Sequence, residues 1–260
     1  MSAALADASP LFWPLHPWLS QLPDHPDQTA LAELARHHPP CLADGRQLRF
    51  VPPQSDGLAY ESRVWLRAEV ETRPDNWHDF FNALIWFAFP LCKRALTAAH
   101  VAAMQPAGRT RGDVRDALTH FDECGMVVLS SRPELLALLR QFAWRELFVE
   151  RREDVIAHMR FVLFGHASYE ALLAPFRGLT AKAVLYEIST AQLASPAPVL
   201  LAELDQRLAN DLAAGVFQRP RDFQPLPLLG IPGVVAANED PAYYDDTWQF
   251  RPGRRATISV

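Results

Sequence analysis

The sequence predicts an α+β fold, mostly helical, in a single domain with a small sheet of a few short strands and proline-rich irregular termini. Three observations carry this. Between Tyr60 and Ala214 apolar residues recur mostly at helical spacing. Three apolar runs, Met126–Leu129, Met159–Leu163 and Ala183–Ile188, are too short for helices and read as strands. Prolines crowd both ends, so residues 1–56 read as a wrapping segment, 57–216 as the helical core with short strands, and 217–260 as an irregular tail packed on that core.

The elements follow in order. Leu31, Leu34 and Ala35 give one brief helix ending near His37. Tyr60, Val64, Trp65 and Ala68 share a helical face. Asp75 or Asn76 caps the next helix, which runs from Trp77 to Phe89 and stops at Pro90. A further helix covers Lys93 to Met104, and Gln105 to Gly112 is a loop carrying Arg109 and Arg111. Arg115 to Cys124 is a short helix ended by Gly125. Ser131 and Glu134 have capping-box spacing around Pro133, with Leu135, Leu138, Leu139 and Phe142 turned inward. Gly165 and His166 lead into a helix holding Leu172 and Leu173. Pro198 to Ala214 is amphipathic, with Leu201, Leu204, Leu208 and Leu212 on its buried face.

Composition narrows the function classes. Hydrophobic residues make up 49% and charged residues 21%, which suits a folded, core-forming chain rather than a disordered one. The formal charge of −5 offers no general attraction to nucleic acid or anionic lipid, so no nucleic-acid partner is expected. The most apolar stretch, Phe80 to Cys92, is interrupted by Asn82 and Pro90, and is shorter than the about 20 residues that span a bilayer. No membrane association is expected. Cys41, Cys92 and Cys124 are too sparse for a disulfide frame or a C-x-x-C knuckle, and Asp7 precedes no signal-like apolar run; together these point to reduced thiols and a cytoplasmic location.

The helix starting Trp77-His78-Asp79-Phe80-Phe81-Asn82 holds the first candidate site. At 100° per residue His78, Asp79 and Asn82 share about a quarter-turn arc, and elsewhere the helix is apolar all round, as in a buried helix. Polar groups there need partners, so they either brace the fold or line a pocket floor between Trp77, Phe81 and Trp86. Asp122 and Glu123 form a second candidate at a helix-to-strand corner, with Arg115 and Asp116 as an ion pair that could hold it. In the third, His166 follows an apolar run and a glycine, and Glu170 lies four residues on, on the same helical face. The tail adds Gly230-Ile231-Pro232-Gly233 with Asn238, Tyr243, Tyr244, Asp245 and Asp246, either over a pocket or tying down the C-terminus. P-loop, G-x-G-x-x-G, G-x-S-x-G and H-E-x-x-H patterns are absent.

The pieces N-W-H-D-F-F-N-A-L-I-W-F-A-F-P (Asn76–Pro90), R-D-A-L-T-H-F-D-E-C-G (Arg115–Gly125) and F-G-H-A-S-Y-E (from Phe164), with Leu229–Gly233, resemble a bacterial family identified as domain of unknown function 3025. The resemblance implies a bacterial, cytosolic, single-domain protein and brings no catalytic residues with it. The pair His78-Asp79 also resembles the metal-binding dyad of HD-type phosphohydrolases, although the upstream His and downstream Asp of that pattern have no counterpart in this chain.

Two functional readings stand. In the first, His78, Asp79, Asn82 and His166 act as catalytic groups, and a divalent metal draws ligands from His78, Asp79, Asp122, Glu123, His166 and Glu170, giving a hydrolase for a small molecule. In the second, the same residues form a buried hydrogen-bond network in a non-catalytic, ligand-binding or structural protein. The two readings share one requirement of the tertiary structure: His78 and His166 converge.

Overall fold

A four-stranded mixed sheet with strand order β4-β3-β5-β6 organises the core. The structure, a computed structural model, describes residues 9–23, 25–104 and 110–253. Strand β3 (Gly125–Ser130) is central and wholly buried, flanked by antiparallel β4 (Met159–Leu163) and parallel β5 (Thr180–Glu187). Val127 lies opposite Val162 on one side and Val184 on the other. The edge strand β6 (Gln224–Pro227) pairs antiparallel with β5 and holds Pro225 and Pro227, which only an edge tolerates. This strand lies in the tail expected to be irregular; its prolines concealed it. A second small sheet pairs β1 (Arg49–Val51) with β2 (Glu69–Glu71) in parallel, and three residues per strand left no alternation to read.

The labelled helices are α1 (Gln28–His37), α2 (Tyr60–Arg67), α3 (Trp77–Ala88), α4 (Pro90–Met104), α5 (Thr110–Cys124), α6 (Pro133–Arg140), α7 (Arg152–His158), α8 (His166–Ala171) and α9 (Ala197–Ala213). The α+β, mostly helical, single-domain expectation is met, with one continuous apolar core. Helix α3 is buried from Phe80 to Phe87 and packs on α8, while α4 packs on α2, α5 and α9. Large rings fill the space between them, including Phe81 stacked on Tyr169 and Phe121 stacked on Phe164. At the N-terminus the 3-10 helix Pro10–Leu15 buries Leu11, Phe12 and Leu15, and Trp13 Nε1 donates to the Phe161 carbonyl at 3.0 Å. These contacts seat Pro10–Leu15 on the core.

Several boundaries differ from the sequence reading. Helix α4 starts at Pro90 rather than Lys93, because the carboxylate of Asp205 on α9 accepts the free amides of Leu91 (2.9 Å) and Cys92 (2.7 Å). Helix α5 starts at Thr110, so its first residues occupy part of the expected loop; Arg109 lies outside the described residues. Arg115 and Asp116 are both exposed along α5 and form no ion pair among the described residues. The expected capping box fails: the N-cap of α6 is Arg132 without a side-chain cap, and Ser131 Oγ lies instead 3.3 Å from His158 Nδ1. Phe142 is half-buried, in the left-handed region at φ 58°, just past α6. On α9 the buried face takes Leu200 with Leu204, Leu208 and Leu212, leaving Leu201 half-buried. All three cysteines are free. Among the described residues no helix is long and apolar enough to cross a membrane.

The C-terminal loop is tied down rather than laid over a site. Asn238 Nδ2 donates to the carbonyls of Leu229 (2.9 Å) and Ile231 (2.7 Å), and the Tyr244 hydroxyl donates to that of Gly230 (2.8 Å). Asp245 pairs with Arg145 and Asp246 with Arg177.

Candidate metal centre

Local sequence fixes where each imidazole starts. Asn76 caps α3, its Oδ1 accepting the Asp79 amide at 2.9 Å, and so sets His78 in the first turn. At the other side, β4 runs into the corner between α5 and β3, where the amides of Phe164 (3.0 Å) and Gly165 (2.8 Å) both donate to the Gly125 carbonyl. The approach is so close that a methyl group on Gly165 would overlap Cys124 Cα and the Glu123 carbonyl oxygen. A glycine is required there, and His166, the next residue, is delivered beside Asp122 and Glu123.

The two rings meet. His78 Nε2 and His166 Nε2 are 3.1 Å apart, with ring centroids 4.5 Å apart at 75°. Glu123 Oε2 lies 3.5 Å from His166 Nε2 and 3.8 Å from His78 Nε2. These three donors form a triangle with edges of 3.1, 3.5 and 3.8 Å. Ligands held at about 2.0–2.1 Å on a tetrahedral zinc ion stand about 3.3–3.4 Å from each other, so the triangle has the size of one face of such a site. It is also the one cluster of three potential ligands found among the described residues.

The other expected site residues surround this triangle. Glu170 Oε2 contacts His78 Nδ1 at 3.0 Å, the outer-shell carboxylate that orients a ligating histidine. Asp122 binds the Lys93 ammonium at 2.6 Å, and its Oδ1 is 3.9 Å from His166 Nδ1. Asn82 lies behind them, its Oδ1 accepting from Lys93 Nζ at 3.0 Å and its Nδ2 donating to the Tyr60 hydroxyl at 2.9 Å. Asp79 turns the other way. Its two oxygens grip Arg73 Nε and Nη2 at 2.8 and 2.9 Å, and the Arg73 amide donates to it at 2.8 Å. It therefore braces the turn into α3 and stands outside the donor triangle, unlike the aspartate of an HD dyad.

Electrostatics grade the site from buried to open. His166 is 3% exposed, and burial first, with Lys93 and His78 adding to it against Asp122, lowers its pKa to about 4. It is neutral at pH 7, as a metal ligand must be. Its Nδ1 is buried without a hydrogen bond among the described residues. Burial raises the Glu123 carboxyl above its usual range. Burial also works against the charges of Asp122 and Lys93, but their mutual attraction outweighs it, holding the carboxyl low and the ammonium high. Beyond His78 and Glu123 opens a cavity of about 470 Å³ whose wall includes Tyr60, Glu61, Arg73, Asn82, His100 and Asp122.

Lys93 and His100 went unnoticed in the sequence, yet a signal was there. Lys93, Thr97 and His100 recur at i, i+4 and i+7 on α4 and are all buried, a polar stripe where an apolar one is expected. Tyr60, read only as part of a helical face, lines the cavity and accepts a hydrogen bond from Asn82.

Residues 48–254 match the family described as Protein of unknown function (DUF3025). The chain belongs to this family. The match takes in α3, α5 and α8, and with them every residue of the donor triangle. No curated protein and no solved structure matches the chain.

Proposed function

We propose that this DUF3025 member is a metal-assisted hydrolase of a small molecule, with His78, His166 and Glu123 holding one divalent ion of the zinc class. The single observation that carries the reading is the 3.1, 3.5 and 3.8 Å triangle of two imidazole nitrogens and one carboxylate oxygen. Three protein ligands leave a further coordination position, the arrangement of catalytic rather than structural zinc sites. An ion held by these three residues would supply a water of near-neutral pKa as nucleophile.

The chain's own residues supply the rest. Glu170 fixes the His78 ring, and the Lys93–Asp122 pair stiffens the wall behind His166. The Tyr60 hydroxyl accepts from Asn82, and burial raises its pKa, so it keeps its proton to donate toward the cavity. That proton suits the oxygen that gains charge during attack on a carbonyl. A cytoplasmic location fits the three free thiols.

Metal analysis of the purified protein, with calorimetric titration of zinc into chelator-treated samples, tests the proposal. One equivalent bound, lost in both His78→Ala and His166→Ala, is the expected result. A second reading draws on the same nitrogen–nitrogen contact: Glu170, His78 and His166 form a hydrogen-bonded relay, and the cavity binds a small molecule without turnover. A chain that stays metal-free at a tenfold excess of zinc, with its folding unchanged, leaves that reading in place.

A further inference from the structure

We propose that the cavity selects a substrate bearing a positively charged amino group, held between Glu61 and His100. This rests on the metal-hydrolase reading for the reacting end of the substrate, and concerns the group that recognises the other end. The argument begins with how the charges in and behind the cavity wall are committed. Arg73 is gripped by Asp79, and Lys93 is held by Asp122 and Asn82. Arg63, fully buried behind the wall, is shared among Asp56, Glu69 and Glu71. Each of these cations already has a carboxylate partner with which a phosphate or carboxylate would have to compete.

The acids divide differently. Asp79, Glu71 and Asp122 each have a cationic partner, and Glu123 belongs to the donor triangle. Glu61 lines the cavity, half-buried, with no ion pair or hydrogen bond among the described residues. Independently, His100 is 6% exposed, lines the same cavity and likewise has no hydrogen-bond partner among the described residues. The His100 ring therefore keeps its hydrogen-bonding capacity for a ligand in the cavity that it lines. Burial holds His100 below the usual imidazole range, so its ring is neutral at pH 7 and offers an acceptor nitrogen. The charges felt at His100 are those of Asp122, Glu61, Lys93 and Arg115, and Arg115 is exposed and outside the cavity lining. An alkylammonium has three donors and no acceptor. It donates to the carboxylate and to the ring's acceptor nitrogen together, whereas an anion is repelled by Glu61 and can accept only from the ring N–H.

The test uses two arms. In the first, zinc-loaded protein is titrated calorimetrically with straight-chain hydroxamates of two to six methylenes ending in ammonium, methyl or carboxylate. The best ammonium-tailed compound should bind at least about tenfold tighter than its methyl-tailed counterpart, with the carboxylate weakest. Glu61→Gln should erase that preference while leaving methyl-tailed affinity within about twofold. Equal affinities, or a preference for carboxylate, would overturn the proposal. In the second arm, metal-free protein is titrated with n-butylammonium and n-butanol and followed by NMR. Saturable shifts around Glu61 and His100 with the amine alone support the assignment, and shifts with neither, or with both equally, reject it. If no hydroxamate binds the zinc-treated protein, the metal reading has failed, and the second arm still decides on the amine site.

Discussion

His78 Nδ1 is held by Glu170 at 3.0 Å while its Nε2 faces His166 Nε2 at 3.1 Å, so one ring links an outer carboxylate to the centre of the site. The pair arises from two helices whose first turns converge, α3 and α8, and it gives Glu170 a role that exposure alone would not suggest. With that carboxylate replaced in Glu170→Gln, zinc affinity should drop about 10- to 100-fold. Thermal stability of the metal-free chain should change little, since Glu170 is on the surface. A competition titration against a chelator of known affinity measures the first, and calorimetry the second.

Asp79 should behave as a brace. Replacing it in Asp79→Asn breaks the charged grip on Arg73 and should cost about 1–2 kcal/mol at pH 7, a charged hydrogen-bond contribution discounted because Arg73 is half exposed. Arg73 and the turn's amide outweigh burial and hold the Asp79 carboxyl below its usual range. With the folded pKa lowered, this stabilisation is present above the unfolded value near 3.8 and fades as pH falls through the folded one. The difference between Asp79→Asn and the parent in urea denaturation should therefore shrink below about pH 3.8, while zinc affinity at pH 7 stays within about threefold. A much larger loss of zinc binding would make Asp79 a ligand.

Lys93 and Asp122 are a buried pair, and breaking it by Lys93→Met strands the carboxylate. Denaturant unfolding should register a loss of about 3–5 kcal/mol. The double variant Lys93→Met/Asp122→Leu removes both charges and should recover most of it, which a purely steric effect of the methionine would not do.

Gly165→Ala tests the corner that delivers His166. The added methyl has backbone on the far side, so β4 or α5 must shift. We expect a loss of about 1–3 kcal/mol in stability, accompanied by weaker zinc binding as His166 moves away from Glu123. A variant with equal loss of stability from a remote core site, such as Leu208→Ala on α9, should keep its zinc affinity.

Much of the frame was written locally. The Asn76 cap, the unbroken apolar surface of α3 and the Gly165-His166 step are short-range signals, and each names a place where a polar side chain emerges from an apolar element. Those signals brought both histidines and the acids near them into view. Which acid does what was not local: Asp79, Asp122, Glu123 and Glu170 are alike in a sequence, and only their neighbours separate them. Arg73 takes Asp79, Lys93 takes Asp122, His78 takes Glu170, and Glu123 is left facing the two rings. The same limit hid the start of α4, whose cap comes from Asp205, 113 residues beyond Cys92. It also hid β1, β2 and β6, strands too short or too proline-rich to carry a period. By itself the sequence determined most of the helices though not α7, the strands β3, β4 and β5, and the residues worth watching, because periodicity, caps and close-packed glycines act within a few residues. The tertiary structure alone decided the donor triangle and the empty-handed Glu61 and His100, because ion pairing depends on distances across space that spacing along the chain does not encode.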